Sequence, residues 1–149
     1  MVVELPAEAY RLGGEAGWES ELRSMQSARF VAAAVMARRS CWTDLFVEAS
    51  RRDRAIDAFA KERVAVVRSL DLPEGAVRVT VTTATGDTRL SCDVAPGDPH
   101  NPMTTQQLVD KARRCIEGSR LDGHFDVERL TNLSAESSIA ALVGDLRAP

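Results

Sequence analysis

Two ionisable side chains, Asp98 and His100, lie two residues apart in the segment Gly97–Met103, where two prolines and a glycine interrupt regular structure. Histidine suits proton transfer because its ordinary pKa lies near neutrality, and a nearby aspartate can serve as a further acid or base. Two simpler meanings stay open. His100 can be a solvent-exposed loop residue, and Asp98 can hydrogen-bond the backbone of its own turn. We take both as candidate catalytic residues.

The amino-terminal part of the chain supplies a second group of candidates. Arg29 suits a carboxylate ligand because its guanidinium can donate two parallel hydrogen bonds, and Gln26 lies three residues before it. Arg29 can equally pair with a helix carboxylate. Tyr10 and Asp44 are further candidate acids or bases. Trp18 is a candidate substrate contact, although both aromatic side chains can instead fold back onto the core.

Composition excludes several classes of protein. The 149 residues carry a net charge of -3, so no basic field would attract nucleic acid. No apolar run approaches the roughly 18 residues that span a membrane. The cysteines, Cys41, Cys92 and Cys115, are too far apart for a zinc site of the C-x-x-C type. Their odd number, without an apolar signal sequence, predicts a reducing cytoplasm. The length predicts one domain, 1–149.

The first half of the chain reads as a strand, a loop and then helices. Val2–Leu5 predicts a short strand, and Gly13 and Gly14 predict that residues 7–20 form an irregular loop. Ser24 is expected to cap a helix over Met25–Arg39. The inner stripe of that helix is predicted to be Met25, Ala28, Ala32, Val35 and Met36.

Two further helix starts follow. Thr43 or Asp44 predicts a brief helix that carries Leu45 and Phe46. Asp53 predicts the start of another helix. The residues of that helix expected to face inward are Ile56, Phe59 and Ala60.

The period of the apolar residues then changes to that of strands. Val64–Ser69 predicts a strand, and alternating residues over 77–82 predict another. A tight connection at 85–87 leads to a partner strand with Leu90, Cys92 and Val94 inward, which predicts a hairpin.

The chain returns to helices after the hairpin. Thr104 and Gln107 predict a capping box at the start of a helix that ends at Glu117. Its expected inner stripe is Leu108, Ala112, Cys115 and Ile116, and Ser134 predicts the start of a final helix. Helices before and after a small antiparallel sheet indicate an α+β fold in which the sheet is packed with helices.

Two segments resemble those of a known family. The run from Gly97 to Thr104 resembles a corner of the form G-D-P-x-N-P, followed by Leu or Met and then Ser or Thr, that occurs in the MmgE/PrpD family. Ser27-Ala28-Arg29-Phe30 resembles that family's E-A-K-F or E-A-R-F segment. The resemblance covers roughly residues 20 to 147 and concerns the family's smaller domain. Members include 2-methylcitrate dehydratase, cis-aconitate decarboxylase and iminodisuccinate epimerase.

The resemblance implies a lid-like domain without the rest of the family's active site. Nothing in the chain corresponds to the larger helical domain or to the family's K-x-Y-x-x-C-x-x-x-H segment, and Val31 stands where Ser is usual. The implied function is a lyase, isomerase or cyclase without metal or redox cofactor, acting on a small carboxylate-bearing or polyketide-like substrate. The catalytic candidates are His100, Tyr10 and Asp98, and the substrate-binding candidates are Arg29, Gln26 and Trp18.

Two other functions remain open at this point. The chain can be a non-catalytic subunit that completes a split enzyme, or a small-molecule binding module. A lid freed from its larger partner leaves apolar surface that association would bury. The expected partner is therefore a second copy of the chain, most simply in a dimer, or a separate large-domain chain, with no nucleic acid or membrane partner.

Overall fold

A computed structural model describes residues 1–117 in two compact units, Met1–Ala95 and the residues from Pro96 onward. The first unit contains β1 (Val2–Leu5), α1 (Ala7–Gly13), α2 (Glu21–Gln26), α3 (Ala28–Arg38), a 3-10 turn (Thr43–Leu45), α4 (Glu48–Arg51), α5 (Arg54–Arg63), β2 (Ala65–Arg68), β3 (Val77–Thr83) and β4 (Gly86–Cys92). The second unit begins with a turn and α6 (Thr105–Glu117). The predicted α+β class is confirmed.

The four strands form one sheet in the order β2-β1-β3-β4. The β3–β4 hairpin is antiparallel as predicted, and β3 is also antiparallel to β1. The sheet is nevertheless mixed, because β1 and β2 run parallel, with Val3 opposite Val66 and Leu5 opposite Arg68. Parallel neighbours need a long crossover connection, and the helices α1 to α5 provide it. The carboxyl ends of β1 and β2 therefore lie side by side.

The core lies between this sheet and the helices. Its buried members are Val3 and Leu5 of β1, Phe30, Ala33 and Ala34 of α3, Leu45 of the 3-10 turn, Ile56 and Ala60 of α5, Val64, and Val66 of β2. The helix start at Asp53 is confirmed, since its side chain accepts hydrogen bonds from the backbone N–H groups of Ala55 and Ile56. Phe30 is wholly buried, so truncating it to Ala would cost about 3–5 kcal/mol.

The loop predicted for residues 7–20 is wrong in its first half, because α1 occupies Ala7–Gly13. Gly13 does not break this helix; it lies at its end, against the backbone of Gln26. A Cβ atom there would collide with the Gln26 carbonyl oxygen. A residue without a side chain is therefore what lets α1 approach the α2–α3 junction closely.

The single helix predicted over Met25–Arg39 is in fact two helices, and Ser27 separates them. The Ser27 hydroxyl accepts from the Phe30 backbone N–H at 3.3 Å and donates to the Ala16 carbonyl at 2.6 Å. Ser24, the predicted cap, lies inside α2 and donates to the Glu21 carbonyl.

The buried face of α3 is wider than the predicted stripe and is shifted from it. Ala28, Ala32 and Val35 of the predicted stripe are half-buried and pack against the core, so the prediction is partly right. Met25 and Met36 are exposed, whereas Phe30, Ala33 and Ala34 are buried.

The predicted inward face of β4 is partly right, since Cys92 and Val94 are half-buried. Leu90 is 68% exposed although it lies opposite Val79 of β3. The reason is the position of the strand at the edge of the sheet: the helices of the first unit pack against β1 and β2.

In the second unit, both halves of the predicted capping box are present. The Thr104 hydroxyl accepts from the Gln107 backbone N–H at 3.2 Å, and the Gln107 amide oxygen accepts from the Thr104 backbone N–H at 2.8 Å. The predicted stripe of α6 is only partly right. Leu108 and Cys115 are exposed and Ala112 and Ile116 half-buried, whereas Val109 is buried.

The final helix predicted from Ser134 lies outside the described residues. Within residues 1–117, no helix is both long enough and apolar enough to cross a bilayer.

Candidate functional site

Tyr10 lies on α1 at the edge of an open depression of about 500 Å³. The helix starts directly after Pro6, whose carbonyl accepts from the Tyr10 backbone N–H at 2.9 Å. The Tyr10 hydroxyl donates to the Glu15 carboxylate at 3.1 Å. The depression is lined by Ala7, Glu8, Tyr10, Arg11, Glu15 and Arg68.

Two neighbours set the acidity of the Tyr10 hydroxyl. The hydrogen bond to Glu15 raises the pKa of Tyr10 above its ordinary value of 10.0, and the positive charge of Arg29 acts in the opposite direction more weakly. At neutral pH the hydroxyl therefore keeps its proton, and Tyr10 can act as a hydrogen-bond donor or an acid but not as a base.

Arg29 lies in the first turn of α3, just after the Ser27 cap. The side chain is half-buried, and its Nε atom is enclosed without a hydrogen-bond acceptor. The ion pair with a helix carboxylate that the sequence left open is not formed within residues 1–117. A buried donor left unpaired costs about 1–3 kcal/mol, so an arginine in this state calls for an explanation.

Gln26 lies at the end of α2, close to both α1 and Arg29. Its backbone carbonyl contacts Gly13, and its side chain belongs to an exposed residue. The structure thus gathers three of the candidates, Tyr10, Gln26 and Arg29, around the contact between α1 and the α2–α3 junction.

Two residues of this region were missed by the sequence analysis, namely Glu15 and Arg68. Arg68 ends β2 opposite Leu5, the last residue of β1, and this brings it beside the start of α1. Parallel pairing of the two strands is what places it there, and an antiparallel prediction could not foresee that. The nearness of Glu15 to Tyr10 in sequence was the one available indication of their hydrogen bond.

Trp18 lies elsewhere on the surface, in a second depression of about 540 Å³. Its ring stacks on Phe30 with centroids 6.1 Å apart, and the Lys61 ammonium lies 5.9 Å from its centroid. The remaining lining residues are Gly17, Glu19, Glu48, Arg51, Arg52 and Asp57.

The cations of this second depression are already engaged. Lys61 pairs with Asp57 at 2.8 Å and Arg52 with Glu48 at 2.6 Å. Arg51 donates to the backbone carbonyls of Phe46 and Glu19. The depression therefore has little free charge for a ligand.

Asp98 and His100 lie in the turn that opens the second unit. The Asp98 carboxylate accepts from the His100 backbone N–H at 2.8 Å and lies 3.0 Å from the imidazole Nδ1. Gly97 adopts a φ of 97°, and its N–H donates to the Asn101 carbonyl. Asp98 thus both closes the turn and orients His100, whose side chain is 86% exposed.

Asp44, the last candidate acid or base, is an exposed residue of the 3-10 turn, and its carbonyl accepts from Ser50. Among residues 1–117, no group of three or more His, Cys, Asp or Glu side chains is arranged to hold a metal ion. In the Tyr10 region, Arg29 and Arg68 can bind an anion and the Tyr10 hydroxyl can donate a proton.

Comparison with known proteins bears on the ancestry of this site. A family model described as the MmgE/PrpD C-terminal domain matches residues 1–133. The match includes β1 and α1, which precede the segments that carry the sequence resemblance. No curated protein matches the chain. The chain belongs to the MmgE/PrpD family and corresponds to its C-terminal domain.

Proposed function

We propose that this domain binds a small carboxylate-bearing organic substrate beside Tyr10 and Arg29, and that it takes part in lyase, isomerase or cyclase chemistry without a redox cofactor. The observation that carries the proposal is the state of Arg29. Its half-buried guanidinium has an enclosed Nε without an acceptor and no carboxylate partner among residues 1–117.

The charges around Tyr10 favour an anionic ligand. Glu8 and Arg11 pair with each other and contribute no net charge. Glu15 is the remaining carboxylate of the depression and is engaged by the Tyr10 hydroxyl. Arg68 lines the same depression without an ion-pair partner in the described part of the chain. Arg29 and Arg68 therefore leave positive charge available to a carboxylate.

The same residues can supply the proton chemistry. Elimination or isomerisation next to a carboxylate requires that a proton leave carbon while negative charge develops on the substrate. Glu15 can accept that proton, and Arg29 can stabilise the developing charge. The protonated Tyr10 hydroxyl can donate its proton to the leaving group in an elimination, or to the carbon that is reprotonated in an isomerisation. His100, oriented by Asp98, remains the candidate proton-transfer group of the second unit.

Ligand binding provides the first test. Isothermal titration calorimetry with succinate, fumarate and citrate is expected to show saturable binding to the full chain. Arg29→Ala should weaken it by about tenfold to a hundredfold, because a charged hydrogen-bond donor is lost. The matched control is Arg54→Ala, which removes an exposed arginine from the first turn of α5. Equal affinity of the wild type and Arg29→Ala would contradict the proposed site.

Proton exchange provides the second test. With a bound carboxylate in D2O, NMR should detect incorporation of deuterium at the carbon next to the carboxylate. Glu15→Gln should abolish this incorporation, whereas Tyr10→Phe should slow it. Binding without any exchange would count against an enzyme and in favour of a binding module.

A second candidate function is that of a non-catalytic subunit, and the surface of α2 favours it. Leu22 and Met25 lie three residues apart on this helix and are 66% and 44% exposed. Apolar side chains on one helix face are commonly covered by a partner. Under this proposal Leu22→Glu would leave carboxylate binding unchanged and abolish assembly with a large-domain chain, and activity would appear only in the assembled complex.

A further inference from the structure

We propose that the outer edge of β4 is a dimer interface, at which β4 pairs antiparallel with β4 of a second copy of this chain around a two-fold axis through Thr88. The inference is independent of the ligand site and rests on the sheet alone.

The strand presents an open edge. It is the last in the sheet order β2-β1-β3-β4, so within residues 1–117 no strand pairs with its outer side. Its seven residues form a regular strand, and every residue from Gly86 to Ser91 is exposed. Unpaired backbone groups along such an edge are a template for another strand.

The hairpin determines which backbone groups point outward. Its connection is two residues long, and the closing pair, Thr83 with Gly86, is a hydrogen-bonded pair. Because hydrogen-bonded and non-hydrogen-bonded pairs alternate, Thr88 and Leu90 direct their backbone groups toward β3. Asp87 and Arg89 direct theirs to the open side.

Charge then selects one register. A two-fold axis through Thr88 places Asp87 opposite the partner's Arg89 and, by symmetry, Arg89 opposite the partner's Asp87. Both are hydrogen-bonded pairs with opposite charges on the same sheet face.

The registers with the axis one residue to either side bring like charges together, and so does the one through Leu90. An axis through Arg89 places two arginines opposite each other, and one through Asp87 places two aspartates opposite each other. An axis through Leu90 places Asp87 opposite the partner's Asp93. An axis through Gly86 places Asp87 opposite the partner's Thr85, and one through Ser91 places Arg89 opposite the partner's Asp93, which lies beyond the end of β4. Like charges directly opposite are destabilising, and the Thr88 register places opposite charges face to face within the strand, so it is the favoured one.

The Arg89 side chain can bind a second carboxylate, that of the partner's Asp87, in addition to Glu4. Its guanidinium lies 3.3 Å from the Glu4 carboxylate, and its side chain remains 59% exposed. Five N–H donors allow it to contact both Glu4 and the partner's Asp87. The resulting dimer would have one continuous sheet across the two-fold axis.

Sedimentation velocity of the full chain tests the interface. The wild type should dimerise reversibly, and Asp87→Arg should raise the dimer dissociation constant by roughly tenfold or more, because both attractive pairs become repulsive. Arg89→Asp should have the same effect, and an equimolar mixture of the two variants should recover dimers, since opposite charges then face each other. Glu62→Arg makes the same charge change on the exposed side of α5 and serves as control.

A disulfide provides the geometric test. In a background in which Cys41, Cys92 and Cys115 are replaced by Ser, Thr88→Cys is expected to form a covalent dimer on oxidation, because Thr88 faces its own copy across the axis. Thr82→Cys, on β3, should not. A monomeric wild type, a dimer insensitive to Asp87→Arg, or a Thr88→Cys chain that fails to cross-link would each overturn the proposal.

Discussion

Tyr10 is held in its protonated form by a neighbour five residues away. Its hydroxyl donates to Glu15, and this bond raises the pKa of Tyr10, while the charge of Arg29 lowers it to a smaller extent. A raised phenol pKa stabilises the fold below the ordinary value of 10.0. That contribution is lost as the pH rises through the pKa of the folded state.

Replacing Glu15 with Gln should therefore lower the pKa of Tyr10 toward its ordinary value. The amide keeps an acceptor oxygen but has no charge to oppose ionisation of the phenol. Tyr10 is the only tyrosine in the sequence, so the ultraviolet absorbance of tyrosinate reports on it alone. Glu8→Gln, in the same depression but bonded to Arg11, should leave the titration unchanged. An unaltered pKa in Glu15→Gln would show that the hydrogen bond is not formed in solution.

At the scale of the elements, the ligand site depends on how closely α1 approaches the α2–α3 junction. Gly13 makes this approach possible, and Ser27 fixes the start of α3 and thereby the position of Arg29. Gly13 acts through its lack of a side chain and Ser27 through the hydrogen bonds of its hydroxyl to the backbone. Neither would contact a substrate directly.

Gly13→Ala should destabilise the protein by about 1–3 kcal/mol, because the added methyl group collides with a backbone carbonyl that has little room to move. Urea denaturation measures the loss. Gly17→Ala is a matched control, since a Cβ atom there meets only the flexible carboxylate of Glu19. The Gly13→Ala variant should also bind carboxylates more weakly than the wild type. Equal stability of the two variants would refute this role of Gly13.

Elements with local determinants could be predicted from the sequence. The capping box of Thr104 and Gln107 and the β3–β4 hairpin are each encoded within a few residues, and both are confirmed. The helix α1 was missed because two glycines normally indicate a loop, whereas here the small size of Gly13 permits a close contact with Gln26 of another helix. The break at Ser27 was missed because an uninterrupted apolar period outweighs a single capping residue.

The site was only partly predictable for the same reason. Arg29 and Tyr10 could be named because their side-chain chemistry suits a carboxylate. Arg68 could not, because its place beside α1 depends on the parallel pairing of β1 and β2, which are distant in the sequence. The catalytic role of His100 also stays a prediction, because only its residue type suggested that role.

At the scale of the whole molecule, several carboxyl groups are more acidic than usual. Hydrogen bonds from Arg11 lower the pKa of Glu8. The pKa of Glu19 is lowered most by the hydrogen bond from the Glu19 backbone N–H and next by the one from Arg23. The Ser69 hydroxyl, followed by a backbone N–H and then Arg78, lowers the pKa of Asp71. Each carboxylate stabilises the folded state at pH values above its ordinary pKa, which is 4.5 for Glu and 3.8 for Asp. This contribution is lost as the pH falls through the lower pKa that the group has in the folded state.

The free energy of unfolding should therefore decrease on going from about pH 7 to about pH 3. Asp71→Asn should be less stable than the wild type at neutral pH and equal to it in strong acid, where the wild-type carboxyl is itself protonated. Urea denaturation across this range measures both effects. Asp110→Asn, on α6, changes the same charge outside this network and is the control. A difference between Asp71→Asn and the wild type that did not vary with pH would contradict this account.

The parallel pairing of β1 and β2 has a further consequence for the order of folding. The hairpin joins strands that are neighbours in sequence. In contrast, five helices lie between β1 and β2 in the chain, so these two strands can pair only after that long segment has folded back. Closing so long a loop is slow and comes late. The ligand region needs Arg68 beside α1, so it is completed only at this last stage. A bound carboxylate should then retard unfolding and leave the early refolding phase unaltered.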